Sequence, residues 1–253
     1  MELTNTSAIV TGGASGLGEA TVRRLHKEGV KVTIFDLKEE QTKAKAEEIG
    51  CTYSVGDVSN EQDVYKAVAV AAEQAPLRIA INCAGIGWAQ RTVDKNGNPH
   101  DLGAFETIIR VNLIGSFNIL RIAGSAISKT EPLEDGERGV MVNTASVAAF
   151  DGQIGQIAYS ASKGGIVGMT LPAARDLSAV GIRVLTIAPG LMDTPLLGLL
   201  PEEQRQALGN GVLFPKRLGL PKEYAELVFE MVRNSYLNGE TVRLDGGLRM
   251  PPK

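Results

Sequence analysis

Tyr159 and Lys163 stand four residues apart in Tyr159-Ser160-Ala161-Ser162-Lys163. On a helix that spacing puts both side chains on one face. A tyrosine hydroxyl is a poor base at neutral pH, with an ordinary pKa of about 10. Bringing it near 7 takes roughly 4 kcal/mol. One ammonium about 4 Å away supplies roughly that much at an effective dielectric of 20. The pair could therefore take a proton from an alcohol, although such a pair alone is common as plain surface packing. Ser146 precedes Tyr159 by 13 residues and follows the strand-like run Val140–Asn143. A hydroxyl at a strand end can donate to a carbonyl or alkoxide oxygen, or simply close a turn. Asn112 lies in the apolar helical stretch Val111-Asn112-Leu113, where asparagine is a poor helix former. It either distorts the helix and holds a water, or satisfies a buried neighbour.

A second constellation opens the chain. The first strand-like run leads into Thr11-Gly12-Gly13-Ala14-Ser15-Gly16-Leu17-Gly18, and a helical pattern follows. Gly12 lets the chain turn off the strand, Gly16 admits a pyrophosphate close to the backbone, and Gly18 lets helix and strand pack. The helix N-terminus offers free N–H groups to phosphate. The spacing is G-x-x-x-G-x-G, not the general dinucleotide pattern G-x-G-x-x-G; the strand–turn–helix context raises it above an ordinary turn. Asp36 ends the second strand 18 residues past Gly18. A carboxylate there accepts from adenosine ribose hydroxyls and repels a 2′-phosphate, which favours NAD over NADP. Its alternative is an N-cap for the helical stretch Lys38–Ile49. Lys38 is offset by Glu39 and Glu40. An oxidised nicotinamide ring beside Tyr159 would add positive charge to that of Lys163.

The elements that must position these residues alternate. Strand-like runs are Thr6–Val10, Val30–Phe35, Thr52–Val55, Ile79–Ile81, Val140–Asn143, Val184–Ala188 and Thr241–Leu244. Helical patterns are Leu17–Glu28, Lys38–Ile49, Glu61–Gln74, Leu102–Lys129, Ile157–Ala179 and Lys222–Arg233. Strands buried on both faces and alternating with helices predict an α/β fold: a single Rossmann-type doubly wound domain over residues 1–253, with a seven-stranded parallel sheet. Segments 88–101 and 190–220 look too long for plain connections and should lie at the carboxyl edge of the sheet, where such folds bind ligands.

The 253 residues are 43% apolar with net charge −3, enough for a sizeable core and unlike a nucleic-acid footprint. Two histidines leave little for a zinc site or a Ser-His-Asp triad, and no metal is expected. Two cysteines point to a reducing compartment. No run reaches the roughly 18 apolar residues of a membrane span, and the first strand begins too early to leave room for a leader. The expectation is a cytoplasmic protein, with a processed mitochondrial form as the variant, and no nucleic-acid or membrane partner.

Together the residues resemble the short-chain dehydrogenase/reductase family over essentially the whole chain. The resemblance rests on the glycine turn, Asp57-Val58, Asn82-Cys83-Ala84-Gly85, Asn112, Ser146, Tyr159-x-x-x-Lys163 and Pro189-Gly190, in the family's order and spacing. Cys83 stands where a second Asn is usual. The resemblance implies Tyr159 as general base, or as acid for ketone reduction, and Lys163 on the ribose hydroxyls. It implies Ser146 on the substrate oxygen and Asn112 on a proton-relay water. Asp57 and Val58 would meet adenine, and Thr194 the nicotinamide carboxamide. Gly12, Ser15, Gly16, Leu17, Gly18, Asp36, Cys83, Ala84, Gly85 and Met192 would complete the NAD site. Longer strings resemble the type 2 3-hydroxyacyl-CoA dehydrogenases, a subgroup that includes a multifunctional mitochondrial 17β-hydroxysteroid dehydrogenase. They are the insertion Trp88–Asp101, Gln153-Ile154-Gly155-Gln156, Gly164 to Pro172, Pro215 to Gly219, and Leu237 to Gly246.

What the resemblance implies is an NAD-dependent enzyme of fatty acid metabolism that interconverts a 3-hydroxyacyl-CoA and its 3-oxo form. Alternatives are a steroid, sugar-alcohol or other secondary-alcohol dehydrogenase, and an NADPH-dependent 3-oxoacyl carrier-protein reductase, against which Asp36 argues. A non-enzymatic NAD-binding scaffold would have little need of Tyr159, Lys163 and Ser146 together. Gln153 and Gln156 are placed at the thioester. Leu191, Met192, Leu196, Leu197, Leu199 and Leu200 suit an acyl chain, and equally suit ordinary core or a wall over a steroid. Arg91, Lys95, Lys216 and Arg217 are candidates for the CoA phosphates, or else solvated surface. Gly164, Gly165 and Gly168 each cost roughly 1 kcal/mol in a helix, so something should pack closely on that face, and Pro172 should kink the helix beyond. A homotetramer is implied, with this helix in one interface and Thr241–Leu244 in another.

Overall fold

β-Branched and aliphatic runs bury both their faces here because a strand's side chains alternate across the sheet. In the computed structural model, which describes every residue except Glu2, Leu196, Leu199 and Lys253, seven such runs form strands. They are β1 (Ser7–Thr11), β2 (Lys31–Asp36), β3 (Thr52–Val55), β4 (Leu77–Asn82), β5 (Gly139–Thr144), β6 (Ile182–Pro189) and β7 (Thr241–Leu244). They pair in the order β3-β2-β1-β4-β5-β6-β7, every pair parallel. The expected sheet is therefore the observed one. The order reverses between β1 and β4, and the crevice at their carboxyl ends is where such a sheet binds ligands.

Helices cover both faces: α1 (Gly16–Lys27), α2 (Glu39–Ile49), α3 (Glu61–Gln74), α4 (Leu102–Ile108), α5 (Gly115–Ile127), α6 (Ile157–Ser178), α7 (Glu202–Asn210) and α8 (Pro221–Arg233). Ala8, Val10, Val32, Ile34, Ile79 and Ile81 pack on one face with α1 and α8, through Val22, Leu25, Tyr224 and Val228. Their sheet neighbours Ile9, Phe35, Ala80 and Met141 face the other way, onto Val64, Ala67, Ile119 and Ala123 of α3 and α5.

Three expectations are corrected. The stretch Leu102–Lys129 is not one regular helix: a π-helix, Ile109–Ile114, separates α4 from α5. Asn112 sits in that wider turn, as its poor helix propensity allows. Segment 190–220 contains α7, whose first turn carries Glu202 and Glu203 at the positive end of the dipole. The N-cap of α2 is Lys38, not Asp36. α6 runs from Ile157 to Ser178 with Pro172 inside it. Segment 88–101 folds back on itself through an antiparallel bridge between Val93 and Pro99, with Asp94 accepting from the backbone of Asn96 and Asn98.

Candidate active site

The glycine turn is built by close approach. Gly12 has φ +62, and a Cβ there would stand 2.8 Å from the Ala84 nitrogen. A Cβ on Gly18 would lie 2.1 Å from the Gly12 carbonyl oxygen. Neither position admits another side chain. Thr11, the last residue of β1, accepts through Oγ1 from the Cys83 and Ala84 N–H groups at 3.1 and 3.0 Å. That ties the turn to the Cys83-Ala84-Gly85 segment after β4. Asp36 accepts from the Ala14 N–H at 3.1 Å and the Leu37 N–H at 2.8 Å, so its carboxylate faces the turn. Gly16 opens α1 at φ +54 with Thr194 and Pro195 opposite, 3.4–3.5 Å from where its Cβ would be. Ser15 is the N-cap of α1 and its side chain makes no cap bond. The Asp57 carboxylate accepts from the Ser59 N–H at 2.8 Å, and Val58 is buried against Gly115. This is a cradle that fits a dinucleotide: small, left-handed at Gly12 and Gly16, and open onto the first turn of α1, whose N–H groups have no partner within the helix.

A cleft of about 650 Å³ continues from it and is lined by Leu17, Ser146, Tyr159, Lys163, Met192 and Thr194. Tyr159 and Lys163 share a face of α6, with the ammonium 5.8 Å from the Tyr159 ring centroid. Lys163 is buried, and its Nζ donates to the Thr144 carbonyl at 2.8 Å. Burial pulls its pKa down to about 8. Burial also pushes the Tyr159 hydroxyl up, and a hydrogen bond from Ser146 offsets only part of that. Burial of the phenol thus works against the expected lowering of Tyr159. Ser146 also caps the short turn Val147–Ala149, accepting from the Ala148 N–H at 3.1 Å, so its two readings coexist. Asn112 clamps the backbone of Ile86, accepting from its N–H at 2.8 Å and donating to its carbonyl at 2.9 Å. It also donates to Ser162 Oγ at 3.1 Å.

On the substrate side Gln153 and Gln156 line the same cleft as Ser146 and Tyr159, and both are also engaged within the protein. Gln153 Nε2 donates to the Pro251 carbonyl at 3.1 Å, and Gln156 Oε1 accepts from the Gln153 N–H at 3.0 Å. The two glutamines hold their own loop and the C-terminal segment together. That segment returns past the cleft, with Met250 in its wall and the Ile154 N–H on the Pro252 carbonyl at 3.0 Å. Arg243 of β7 braces it, donating to Asp151 at 2.6 Å and Asp245 at 2.8 Å. Leu191, Leu197, Leu200 and Leu208 line the cleft; Leu196 and Leu199 lie outside the described residues. Arg217 is not a free cation, because its guanidinium grips both oxygens of Glu223 at 2.7 and 3.0 Å. Arg91 lines a separate groove of about 400 Å³ beside Gln153 and Gln156. Lys216 lines another, of about 370 Å³, beside α7. Lys95 is exposed in the turn of the insertion.

Thr11, Thr144 and Met250 were not foreseen. The first two end strands at the ligand edge, a signal available in the sequence; nothing local marks Met250. Of the three glycines on α6, Gly165 packs on Leu113 of the π-helix, 2.7 Å from where its Cβ would be, whereas Gly168 faces open space. The stripe thus has two explanations rather than one.

Residues 6–205 match the model of the short chain dehydrogenase family. The chain is 51% identical to the 3-hydroxyacyl-CoA dehydrogenase type-2 of Bos taurus, over 97% of this chain and 95% of that protein. It is 50% identical to the protein of the same name from Drosophila melanogaster, over 98% and 99%. The crystal structure of 3-hydroxyacyl-CoA dehydrogenase type-2 from Mycobacterium avium superposes with a TM-score of 0.97 at 47% identity, covering 99% of this chain and 98% of that one.

Proposed function

The chain belongs to the short-chain dehydrogenase family, and from that premise we propose that it oxidises a 3-hydroxyacyl-CoA to the 3-oxoacyl-CoA, reversibly, with NAD. The observation that carries the reading is one cleft in which Ser146, Tyr159 and Lys163 meet the glycine turn. The acyl-CoA comes from the relatives at about half identity.

The geometry supports the residue roles that the family resemblance implies. Ser146 donates to the substrate oxygen, and Tyr159 takes the hydroxyl proton during oxidation or returns it during reduction. Lys163 holds the ribose hydroxyls beside Tyr159. The nicotinamide ring, when bound, accepts the hydride and adds the positive charge that burial of Tyr159 demands. Asn112 orders the Ile86 backbone at the mouth of the cleft, and its wider helical turn suits the relay water. Asp36 faces the ribose and disfavours a 2′-phosphate; Asp57 and Val58 flank adenine, and Thr194 with Met192 meets the carboxamide. Gln153 and Gln156 shape the thioester end through their loop, and Arg91, in the groove beside them, with Lys216 beside α7, are the candidates for the CoA phosphates. We place the enzyme in the cytoplasm; no described helix is long and apolar enough to cross a membrane.

We also propose a homotetramer. An apolar groove of about 540 Å³ runs between α5 and α6, with Phe117, Met169 and Pro172 in its walls. Gly168 has open space on that helix, and β7 is an edge strand. Light scattering at micromolar concentration should give four times the chain mass, and a monomer would remove the assignment.

The deciding assay is acetoacetyl-CoA reduction, followed by loss of NADH absorbance. Rapid turnover is expected. An inert acetoacetyl-CoA beside a good free secondary alcohol would overturn the substrate and leave the dehydrogenase.

A further inference from the structure

Tyr224 of α8 is one of the largest fully buried side chains in the molecule. A phenol placed there costs free energy unless its hydroxyl is partnered. Its partners are two residues at neighbouring strand ends: Thr144 Oγ1 at 2.7 Å and Cys83 Sγ at 3.6 Å. The Thr144 hydroxyl donates to the Asn82 carbonyl. It has one hydrogen, so Tyr224 must be the donor to Thr144. The run Tyr224, Thr144, Asn82 therefore has a fixed direction, set by a carbonyl that can only accept.

This run ends where the catalytic lysine is held. The Thr144 carbonyl is the acceptor of the Lys163 ammonium. Asn82 leads into the Cys83-Ala84-Gly85 segment, and a Cβ on Gly85 would stand 3.4 Å from Lys163 Nζ. Lys163 is thus lodged between the ends of β4 and β5, and Tyr224 joins those ends from beneath. The titratable groups facing the ammonium are Tyr159 on its own helix and Cys83 after β4; Tyr224 stands behind Thr144.

We propose that Tyr224 is a positioning residue, acting through Thr144 to fix the Lys163 ammonium against the cofactor ribose and Tyr159. The proposal rests on Lys163 serving the cofactor and Tyr159 as described above. Without the hydroxyl, the Thr144 strand end can drift from Cys83, the carbonyl loosens from the ammonium, and less positive charge reaches Tyr159. Its loss of a proton then requires a higher pH.

The test is Tyr224→Phe, which removes one oxygen and keeps the ring. Displacements of about 1 Å can cost a hundredfold in rate, so a smaller slackening should lower kcat about tenfold. The acidic limb of the kcat–pH profile for alcohol oxidation should move upward, and NADH binding should weaken. Thr144→Val, which keeps the carbonyl and loses the hydroxyl, should do the same. The double variant should be no worse than either single, and Thr144→Ser should restore most of what Thr144→Val loses. A Tyr224→Phe enzyme with kcat within twofold of wild type and an unmoved profile would overturn the proposal, even if its Tm falls, since Tyr224 would then only fill the core. Lys163→Ala separates the two readings. If it leaves the profile intact, the role of Lys163 fails and the proposal fails with it. If it abolishes turnover while Tyr224→Phe is silent, the proposal alone fails.

Discussion

The two ends of the cleft are held by different means. At the cofactor end, Gly12, Gly18 and Ala84 interlock backbone against backbone at distances that no added carbon tolerates. The turn is closed by Thr11 and Asp36 accepting from main-chain N–H groups. At the substrate end, the walls are a leucine-bearing loop, a refolded insertion and the C-terminal segment, braced by side-chain pairs such as Arg243 with Asp151. The first end is fixed by short-range chain geometry and reads a ligand common to many enzymes. The second is assembled from segments distant in sequence, joined by partly buried ion pairs between side chains rather than by backbone against backbone. Precision is concentrated where chemistry is shared, and adaptability where the substrate differs.

That contrast can be broken at the residue where the two ends meet. Tyr159→Phe should reduce kcat by about a thousandfold or more, the upper range for a lost general acid–base, while NADH affinity stays within twofold. Retention of a tenth of wild-type kcat would end the assignment.

The next largest effect belongs to the cofactor end. Wild type should favour NAD over NADP by at least about tenfold in kcat/KM, about 1.4 kcal/mol, and Asp36→Ala should shrink that ratio for every alcohol tested. Equal use of both cofactors by wild type would show that Asp36 does not face the ribose.

Changes at the substrate end should be smaller and selective. Asp151→Asn loosens the Arg243 brace beneath the Gln153–Gln156 loop and should raise KM for acyl-CoA by about threefold, the scale of a partly exposed ion pair. NADH affinity should not move. If it moves as much as KM, the two ends are coupled and the contrast is wrong.

The smallest effect is on stability. Lys163 is buried with its pKa near 8, below the ordinary 10.5. The unfolded chain binds that proton more tightly, so the charged lysine destabilises the fold below about pH 8, and the penalty fades as pH rises toward 10.5. Lys163→Met, measured without added cofactor, should therefore raise Tm by several degrees at pH 7, at about 2–4 °C per kcal/mol for this size. The gap should close at alkaline pH; a gap constant with pH would place its origin in packing.

Legibility followed the same division. The seven-stranded parallel sheet could be read because its strands are nearly continuous apolar runs between helical patterns, and the glycine turn and the Tyr159–Lys163 pair because their spacing is local; the strand order is set by contacts between distant segments and has no local signal. The π-helix was visible only as one misplaced asparagine. α7 was missed because Glu202–Asn210 is polar and carries no apolar stripe. Gln153 lines the cleft near Tyr159, as its place in the sequence suggests, but its amide nitrogen also donates to Pro251, a partner nearly a hundred residues away that no spacing discloses. Tyr224 meets Thr144 across a comparable separation.

The sheet order also sets a timetable for a chain made from its N-terminus. β1 is finished first yet lies at the centre of the sheet, and its second neighbour is β4 rather than β2. During synthesis β1, β2 and β3 can associate early, leaving one flank of β1 with unpaired main-chain groups until Asn82 has emerged. Open strand edges invite pairing with other chains, so that interval is when a nascent copy is most exposed to misassembly. The glycine turn finds its counterpart at Ala84 as β4 docks. Lys163 emerges after β5 and finds the Thr144 carbonyl already made, and Tyr224, arriving later still, closes the floor beneath both. A ribosome stalled before β4 should yield a chain that aggregates, whereas one stalled after β5 should already resist proteolysis across its first half.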